Sequence, residues 1–186
     1  MRSILPLDEI NKFSSYLRKR FPSGKVLSQE DHEDIIDEML DLFLLAYTMG
    51  NEVTNASLSS DWTPTLDEVL ETVDKRVAGK TWRERAEKYF ANGGSVDELL
   101  RIVETEAHRD ANEAALKTAV VAGAKTKTWM TMMDDKVRET HYPLEGQTIP
   151  IEADFYTWDG DKGSAPGLFE RPENNVNCRC ELMFGR

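Results

Sequence analysis

The sequence predicts an α+β protein with a helical N-terminal half, a long connecting helix and a small mixed domain that holds a short sheet. Apolar residues recur at helical spacing up to Gly123. Four Ser or Thr residues stand three positions before an acidic residue, the pattern of a helix capping box. After Gly123, short Thr-rich and aromatic segments alternate with Gly and Pro, which favours strands and turns. The predicted boundaries are 1–94, 95–123 and 124–186.

The helical half divides into four segments at its sequence breaks. Residues 7–17 place apolar side chains at helical spacing, and the sequence PSGK ends that helix. Capping boxes predict the starts of the next three helices, and glycines predict their ends. The predicted starts are Ser28, Thr65 and Thr81. The predicted ends are Gly50, Gly79 and the pair Gly93-Gly94.

The connecting helix is the longest predicted element. Ser95 and Glu98 form its capping box, and Gly123 is its predicted end. At about 1.5 Å per residue it is roughly 40 Å long. Its second half is rich in alanine, which lets neighbouring backbones come close. We expect tight packing within the chain, and contact with another subunit is the alternative. The alanines are Ala107, Ala111, Ala114, Ala115 and Ala119.

The mixed domain contains four short segments with different residue patterns. KTKTWMTM predicts a strand, and DDKVRETH predicts one or two helical turns. LEGQTIPI predicts a turn and a short strand, with Pro150 at an edge or an end. VNCRCELMF predicts the last strand. We expect the strand around Trp129 to pair with the segment around Cys178.

Composition excludes several classes of function. A net charge of −11 argues against a broad nucleic-acid-binding surface but leaves room for a local basic patch. No apolar run reaches the roughly 20 residues of a membrane span, and the N-terminus lacks a secretory pattern. Two cysteines make no disulfide framework, so we expect synthesis in a reducing cytoplasm. The sequence holds no phosphate-binding glycine loop, serine elbow or HExxH motif.

Both cysteines lie close to the C-terminus, separated by one arginine. On a strand, Cys178 and Cys180 would face the same side and supply half of a tetrahedral zinc site. His141 and His108 are the imidazoles that could complete this site. Two other interpretations stay open: a pair of small buried hydrophobic residues, or a strained disulfide.

A second candidate site lies in the DDKVRETH segment. Arg138 and His141 stand about one helical turn apart, and with Glu106 and Asp134 they could form an acid–base cluster for phosphodiester chemistry. The favoured interpretation is a buried polar network. In that network Arg138 pairs with Glu106, or else with Asp134, and thereby clamps the long helix to the mixed domain.

Ordered residues between 99 and 183 resemble a known family. Arg-x-x-x-Thr-Glu occurs at Arg101, Thr105 and Glu106. A tryptophan, Asp-x-x-x-Arg-x-x-His, a Gly-Gln turn, a phenylalanine, Pro-Gly and Asn-Cys-Arg-Cys then follow in order. These residues are Trp129, Asp134, Arg138, His141, Gly146, Gln147, Phe155, Pro166, Gly167, Asn177, Cys178, Arg179 and Cys180. This order is similar to the phage Mu F-like minor head proteins, also called head morphogenesis proteins.

The resemblance implies a structural, non-enzymatic component of the phage head. It implies a place at the portal vertex, with the portal protein and other head proteins as partners, and a role in head assembly or DNA delivery. DNA contact is a further expectation, and no membrane is implied. The protein would work in the host cytoplasm during assembly and then in the virion head. The alternative function is a small nuclease or toxin-like domain that uses Arg138 and His141.

Overall fold

The computed structural model describes residues 4–22, 27–77, 79–93 and 95–186. Within these ranges the N-terminal part is helical, and a small antiparallel sheet follows, as the α+β prediction requires. The helices are α1 (Leu7–Arg20), α2 (Gln29–Leu58), α3 (Leu66–Val73), α4 (Trp82–Ala91) and α5 (Val96–Val121). No helix in the described part of the chain combines the length and the hydrophobicity that crossing a bilayer needs.

The predicted capping boxes are confirmed at the starts of α2, α3, α4 and α5. In each, the Ser or Thr side chain accepts a hydrogen bond from the backbone N–H three residues on. The acidic side chain at that third position accepts in return from the N–H of the capping residue. Local sequence therefore determines where these helices begin, because both halves of the motif lie within four residues.

The predicted helix ends were less accurate. Gly123 is confirmed, since it has φ +77 immediately after the last turn of α5. Gly50 as the end of the second helix was wrong, because α2 continues to Leu58 and ends where Ser59 adopts φ 50. Gly79 lies in a turn well after α3, which already ends at Val73. The predicted Gly93-Gly94 stop falls partly outside the described residues.

Gly50 serves close packing between α2 and α5. A Cβ atom at this position would lie 2.1 Å from the carbonyl oxygen of Ala111, far inside van der Waals contact. The other alanines of α5 are also buried within the chain, as the favoured interpretation of this stripe expected. The two helices can therefore approach at backbone distance because neither carries a large side chain there.

The core of the helical part forms around this contact. Ile35, Met39 and Phe43 of α2 are fully buried. Val103 of α5 belongs to the same cluster, and Trp82 of α4 packs edge-on against Phe43 with ring centroids 5.0 Å apart. The apolar stripes of α2, α4 and α5 thus meet in one core, which fixes how α5 is presented to the rest of the chain.

The sheet has the order β2-β1-β5, where β1 is Thr126–Met130, β2 is Thr148–Pro150 and β5 is Glu181–Gly185. Both pairings are antiparallel, and Trp129 lies opposite Leu182. The predicted pairing of the first and last segments is confirmed. A two-residue pair of strands, β3 (Phe155–Tyr156) and β4 (Lys162–Gly163), stands apart from this sheet.

Two local predictions in the mixed part were wrong. The last strand begins at Glu181, so both cysteines precede it. The DDKVRETH segment forms consecutive turns, in which Val137 N–H donates to Asp134 and His141 N–H donates to Arg138. A single 3-10 turn, Tyr142–Leu144, follows. The mixed part encloses its own core around Trp129, Phe155 and Phe169, and Leu116 of α5 packs against it.

Replacement of Gly50 by alanine should destabilise the protein. In an exposed helix this change gains about 1 kcal/mol of helix propensity, but here the new methyl group would strike the Ala111 carbonyl. We expect a net loss of about 1–3 kcal/mol in the free energy of unfolding, typical of overpacking. Thr48→Ala, on an exposed position of the same helix, is the matched control and should be neutral or stabilising. Equal unfolding midpoints for the two variants in denaturant would contradict the close approach.

Candidate functional site

Cys178, Cys180 and His141 form a compact thiol–imidazole cluster. All three side chains are buried, and their ligand atoms lie within 4.8 Å of one another. His141 Nδ1 is 3.6 Å from each of the two sulfur atoms. Asn177, which adopts φ 58 just before Cys178, turns the chain into this segment; asparagine tolerates this left-handed conformation better than most residues. The cluster therefore forms although the cysteines do not lie on a strand.

Aromatic rings fix the orientation of His141. Its ring stacks on Phe169 with centroids 5.4 Å apart and meets Trp129 edge-on at 5.2 Å. Phe155 packs against the other side of this aromatic group, 5.0 Å from Trp129. Nε2 of His141 is buried and has no hydrogen-bond partner among the described residues. Nδ1 is consequently the nitrogen through which this side chain makes polar contact.

The two thiols influence each other's pKa. A hydrogen bond between them lowers the pKa of Cys178 well below its ordinary value and raises the pKa of Cys180. Burial opposes the lowering at Cys178, and His141 adds to it. The pKa values of the two neighbouring thiols therefore shift in opposite directions, although both sulfur atoms lie equally close to the imidazole.

His108 does not join this cluster through its ring nitrogens. Its Nε2 lies 2.7 Å from the backbone carbonyl oxygen of Cys180, so this nitrogen donates a hydrogen bond to that carbonyl. Asn112, one turn further along α5, donates to the same carbonyl at 3.4 Å. Of the four residues predicted as metal ligands, three come together, and His108 instead holds their backbone against α5.

Gly146 positions the strand that carries Trp129. It has φ 70, a conformation that favours glycine, and its N–H donates to the Trp129 carbonyl at 2.9 Å. The N–H of Trp129 in turn donates to the carbonyl of Gln147 at 3.0 Å. The Gly-Gln turn thus holds the middle of β1 in place beneath the cluster.

The predicted clamp between Arg138 and Glu106 was wrong. Arg138 donates to the backbone carbonyl of Val176, which fixes the loop before the cysteines. Its second predicted partner, Asp134, accepts two hydrogen bonds from Arg179, at 2.6 and 2.8 Å. The Arg179 guanidinium is the main reason that the pKa of Asp134 is lowered. The residues of the predicted acid–base cluster therefore bind separate partners and do not form one site.

Glu106 belongs to a buried network centred on Arg109. It accepts from Arg109 Nε at 2.9 Å and also pairs with Arg85 of α4. The remaining Arg109 nitrogens donate to the carbonyls of Thr72 and Val73, at 2.9 and 3.1 Å. These carbonyls lie at the C-terminal end of α3, where the helix dipole favours a cation. The network holds the long helix to α3 and α4.

Three buried carboxylates surround the buried Arg109 at the centre of this network, whereas the other cations, Arg85 and Lys75, are more exposed. Asp110 is fully buried, 2.7 Å from the Arg109 guanidinium. Glu113 pairs with Lys75 at 2.9 Å and lies 3.5 Å from Arg109. Burial raises the pKa of Asp110 well above its ordinary value; Arg109 opposes this shift, and Glu106 and Glu113 add to it. Asp110 therefore favours its protonated form far more than a solvent-exposed aspartate does.

Arg109, Asp110 and Glu113 were not predicted from the sequence as site residues. A signal was present, because Glu106, Asp110 and Glu113 follow one another at i, i+4 and i+7, the spacing of the buried stripe of a helix. Charged residues at those positions of an alanine-rich helix indicate an internal ionic network.

Glu106→Gln should destabilise the protein strongly. The change leaves Arg109 and Arg85 without the carboxylate that compensates them, and loss of one member of a buried pair costs about 3–5 kcal/mol. Asp134→Asn is the matched control, because its pair with Arg179 is partly exposed to solvent. Urea unfolding should show a much smaller loss for the control. Equal losses would contradict the buried character of the Glu106 network.

The raised pKa of Asp110 predicts a pH effect of defined sign. Between the unfolded value, about 3.9, and the higher folded value, the folded state holds a proton that the unfolded state has released. This contribution to stability therefore falls as pH rises through that window. Asp110→Asn should gain stability relative to the parent as pH is raised from about 4. Asp37→Asn, on an exposed position of α2, is the control for thermal melts across pH. A difference between parent and Asp110→Asn that does not vary with pH would contradict the assignment.

A family model and one curated relative point to the same family. A family model described as Phage Mu protein F like protein matches residues 53–183. Over 83 residues the chain is 31% identical to Minor head protein GP7 of Bacillus phage SPP1, covering 43% of this chain and 27% of the relative. Over 93 residues it is 32% identical to NAD(+)--arginine ADP-ribosyltransferase EFV of Enterococcus faecalis, covering 48% of this chain and 19% of the relative. No solved structure matches.

The family match extends beyond the part in which the sequence motifs occur. It begins within the last turns of α2 and includes α3, α4, α5 and the mixed part up to β5. The curated relatives are much longer than the matched segments, which span about a quarter or less of their length. Because the family model covers more than half of the chain, this protein belongs to the Phage Mu protein F like family of minor head proteins.

Proposed function

We propose that this protein is a structural part of a phage head, acts in head morphogenesis at the portal vertex and has no catalytic activity of its own. The portal protein and other head proteins are its proposed partners. It would assemble in the host cytoplasm and remain in the virion head. The observation that carries the proposal is the family match over residues 53–183, together with the likeness to a minor head protein.

Of the two curated relatives, the one named as a minor head protein supports a structural role. The other is named as a transferase, and this chain matches 19% of its length. So short a match does not connect the named activity with the matched segment. We therefore do not extend the transferase activity to this chain.

The geometry of the predicted catalytic residues supports the same conclusion. The predicted acid–base cluster of a nuclease would bring a carboxylate together with Arg138 and His141. Arg138 instead binds the Val176 carbonyl, and Asp134 is occupied by Arg179. The Nε2 of His141 is enclosed by aromatic rings. These contacts are those of side chains that hold loops in place.

DNA contact is a narrower part of the proposal. The net charge of −11 opposes a broad interface with phosphates. One cavity of about 530 Å³ is bordered by α4 and α5, and Lys80, Lys88 and Arg101 line it. These three cations are the ones that we expect to meet DNA during packaging or delivery.

The proposal is tested by co-expression with the portal protein of the same phage. We expect the two proteins to elute together from a sizing column, and the portal protein of an unrelated phage serves as the control. Purified protein should leave labelled DNA and RNA intact, with or without divalent metals, and should not modify arginine in the presence of NAD. Failure to co-elute, combined with a nuclease activity that Arg138→Ala abolishes, would support the enzyme alternative instead.

A further inference from the structure

We propose that Cys178, Cys180 and His141 bind a Zn²⁺ ion through their two sulfur atoms and Nδ1, with a water molecule as the fourth ligand. This inference is independent of the proposed function in the phage head. It concerns the only group of three or more His, Cys, Asp or Glu side chains suited to a metal among the described residues.

The distances in the cluster match tetrahedral zinc. Zinc binds sulfur at about 2.3 Å and nitrogen at about 2.0–2.1 Å, so a tetrahedral angle places these two ligand atoms about 3.5–3.6 Å apart. His141 Nδ1 lies 3.6 Å from the sulfur of Cys178 and 3.6 Å from that of Cys180. Two edges of one tetrahedral face therefore have the expected length, and the third edge, between the two sulfur atoms, is no longer than 4.8 Å.

The charge of the proposed centre suits its burial. Two thiolates and a neutral imidazole around Zn²⁺ sum to zero, so the site places no net charge in the core. The donor set also fits the metal, because thiolate and imidazole are the ligands that zinc prefers in proteins.

The fourth position is assigned to water because of the space that adjoins the cluster. A cavity of about 10 Å³ touches His141, Cys178 and Cys180. This volume corresponds to about one water molecule. Met132 also borders the cavity, but a thioether is a ligand for copper(I) rather than for zinc.

The residues around the cluster orient the ring of His141 without the hydrogen bond that a zinc-binding histidine usually makes through its second ring nitrogen. Nε2 of His141 has no hydrogen-bond partner in the described part of the chain. The orientation of its ring is set instead by an edge-on contact with Trp129 and by stacking on Phe169. The cysteine segment is fixed through its backbone, by His108 at the Cys180 carbonyl and by Arg138 at the Val176 carbonyl. Bound zinc would therefore join the chain after β1, the segment before β5 and, through His108, helix α5.

The test begins with metal analysis of the full chain purified without chelator. We expect about one equivalent of zinc per chain, lost in Cys178→Ser, Cys180→Ser and His141→Asn. His32→Asn is the matched control, because His32 stacks on Phe90 outside the cluster. His108→Gln should also keep its zinc, which distinguishes this three-residue site from one that includes His108.

A second measurement keeps the proposal testable if the ligand variants fail to fold. Cobalt(II) introduced into the parent protein should give thiolate charge-transfer absorption and the strong visible bands of tetrahedral coordination. Chelator should remove the metal and lower the Tm, because a structural metal adds to folding stability. Absence of zinc together with absence of the cobalt–thiolate spectrum would overturn the proposal. Two free thiols would then favour simple packing, a mass lower by two hydrogens would favour a disulfide, and copper in place of zinc would overturn the metal assignment.

Discussion

Burial of Arg109 in the middle of α5 constrains the whole arrangement, because a guanidinium removed from water needs a partner for each of its N–H groups. The end of α3 supplies two carbonyls, and Glu106 supplies a carboxylate. Arg85 of α4 pairs with the same carboxylate. The positions of α3 and α4 against the long helix thus follow from one buried cation. Helix α3, with eight residues, would be marginal without such support.

The same stretch of α5 also receives the mixed part of the chain. Gly167 has φ +83 and lies so close to Arg109 that a Cβ atom would be 3.0 Å from the Arg109 Cα. His108 and Asn112 bind the Cys180 carbonyl on another side of the helix. The predicted connecting helix therefore packs in both hydrophobic cores and does not simply separate them. The family region, residues 53–183, includes all of these contacts.

Sequence alone predicted those features that depend on residues close together in the chain. The four capping boxes are of this kind, since both partners of each interaction fall within a few positions, and the residue types of KTKTWMTM were enough to predict the strand β1. The helix end predicted at Gly50 was wrong because a glycine can mark either the end of a helix or a close contact between two helices. Only the position of Ala111 in the structure distinguishes these two roles. The partner predicted for Arg138 was wrong for a similar reason. Its long side chain can reach several acceptors, and in the folded structure it binds the Val176 carbonyl. The three members of the thiol–imidazole cluster were found from residue type, although the assumed strand was wrong.

The buried charges of α5 also explain how an alanine-rich helix keeps one position against its neighbour. Small side chains at regular spacing let α2 and α5 come close, but they differ little from one turn to the next. A shift of α5 by one turn would leave much of that apolar contact intact. The same shift would remove Arg109 from the carbonyls of Thr72 and Val73 and leave a buried cation unpaired. We infer that the network fixes the position of α5 along α2. The raised pKa of Asp110 reflects what the burial of this carboxyl group costs in stability.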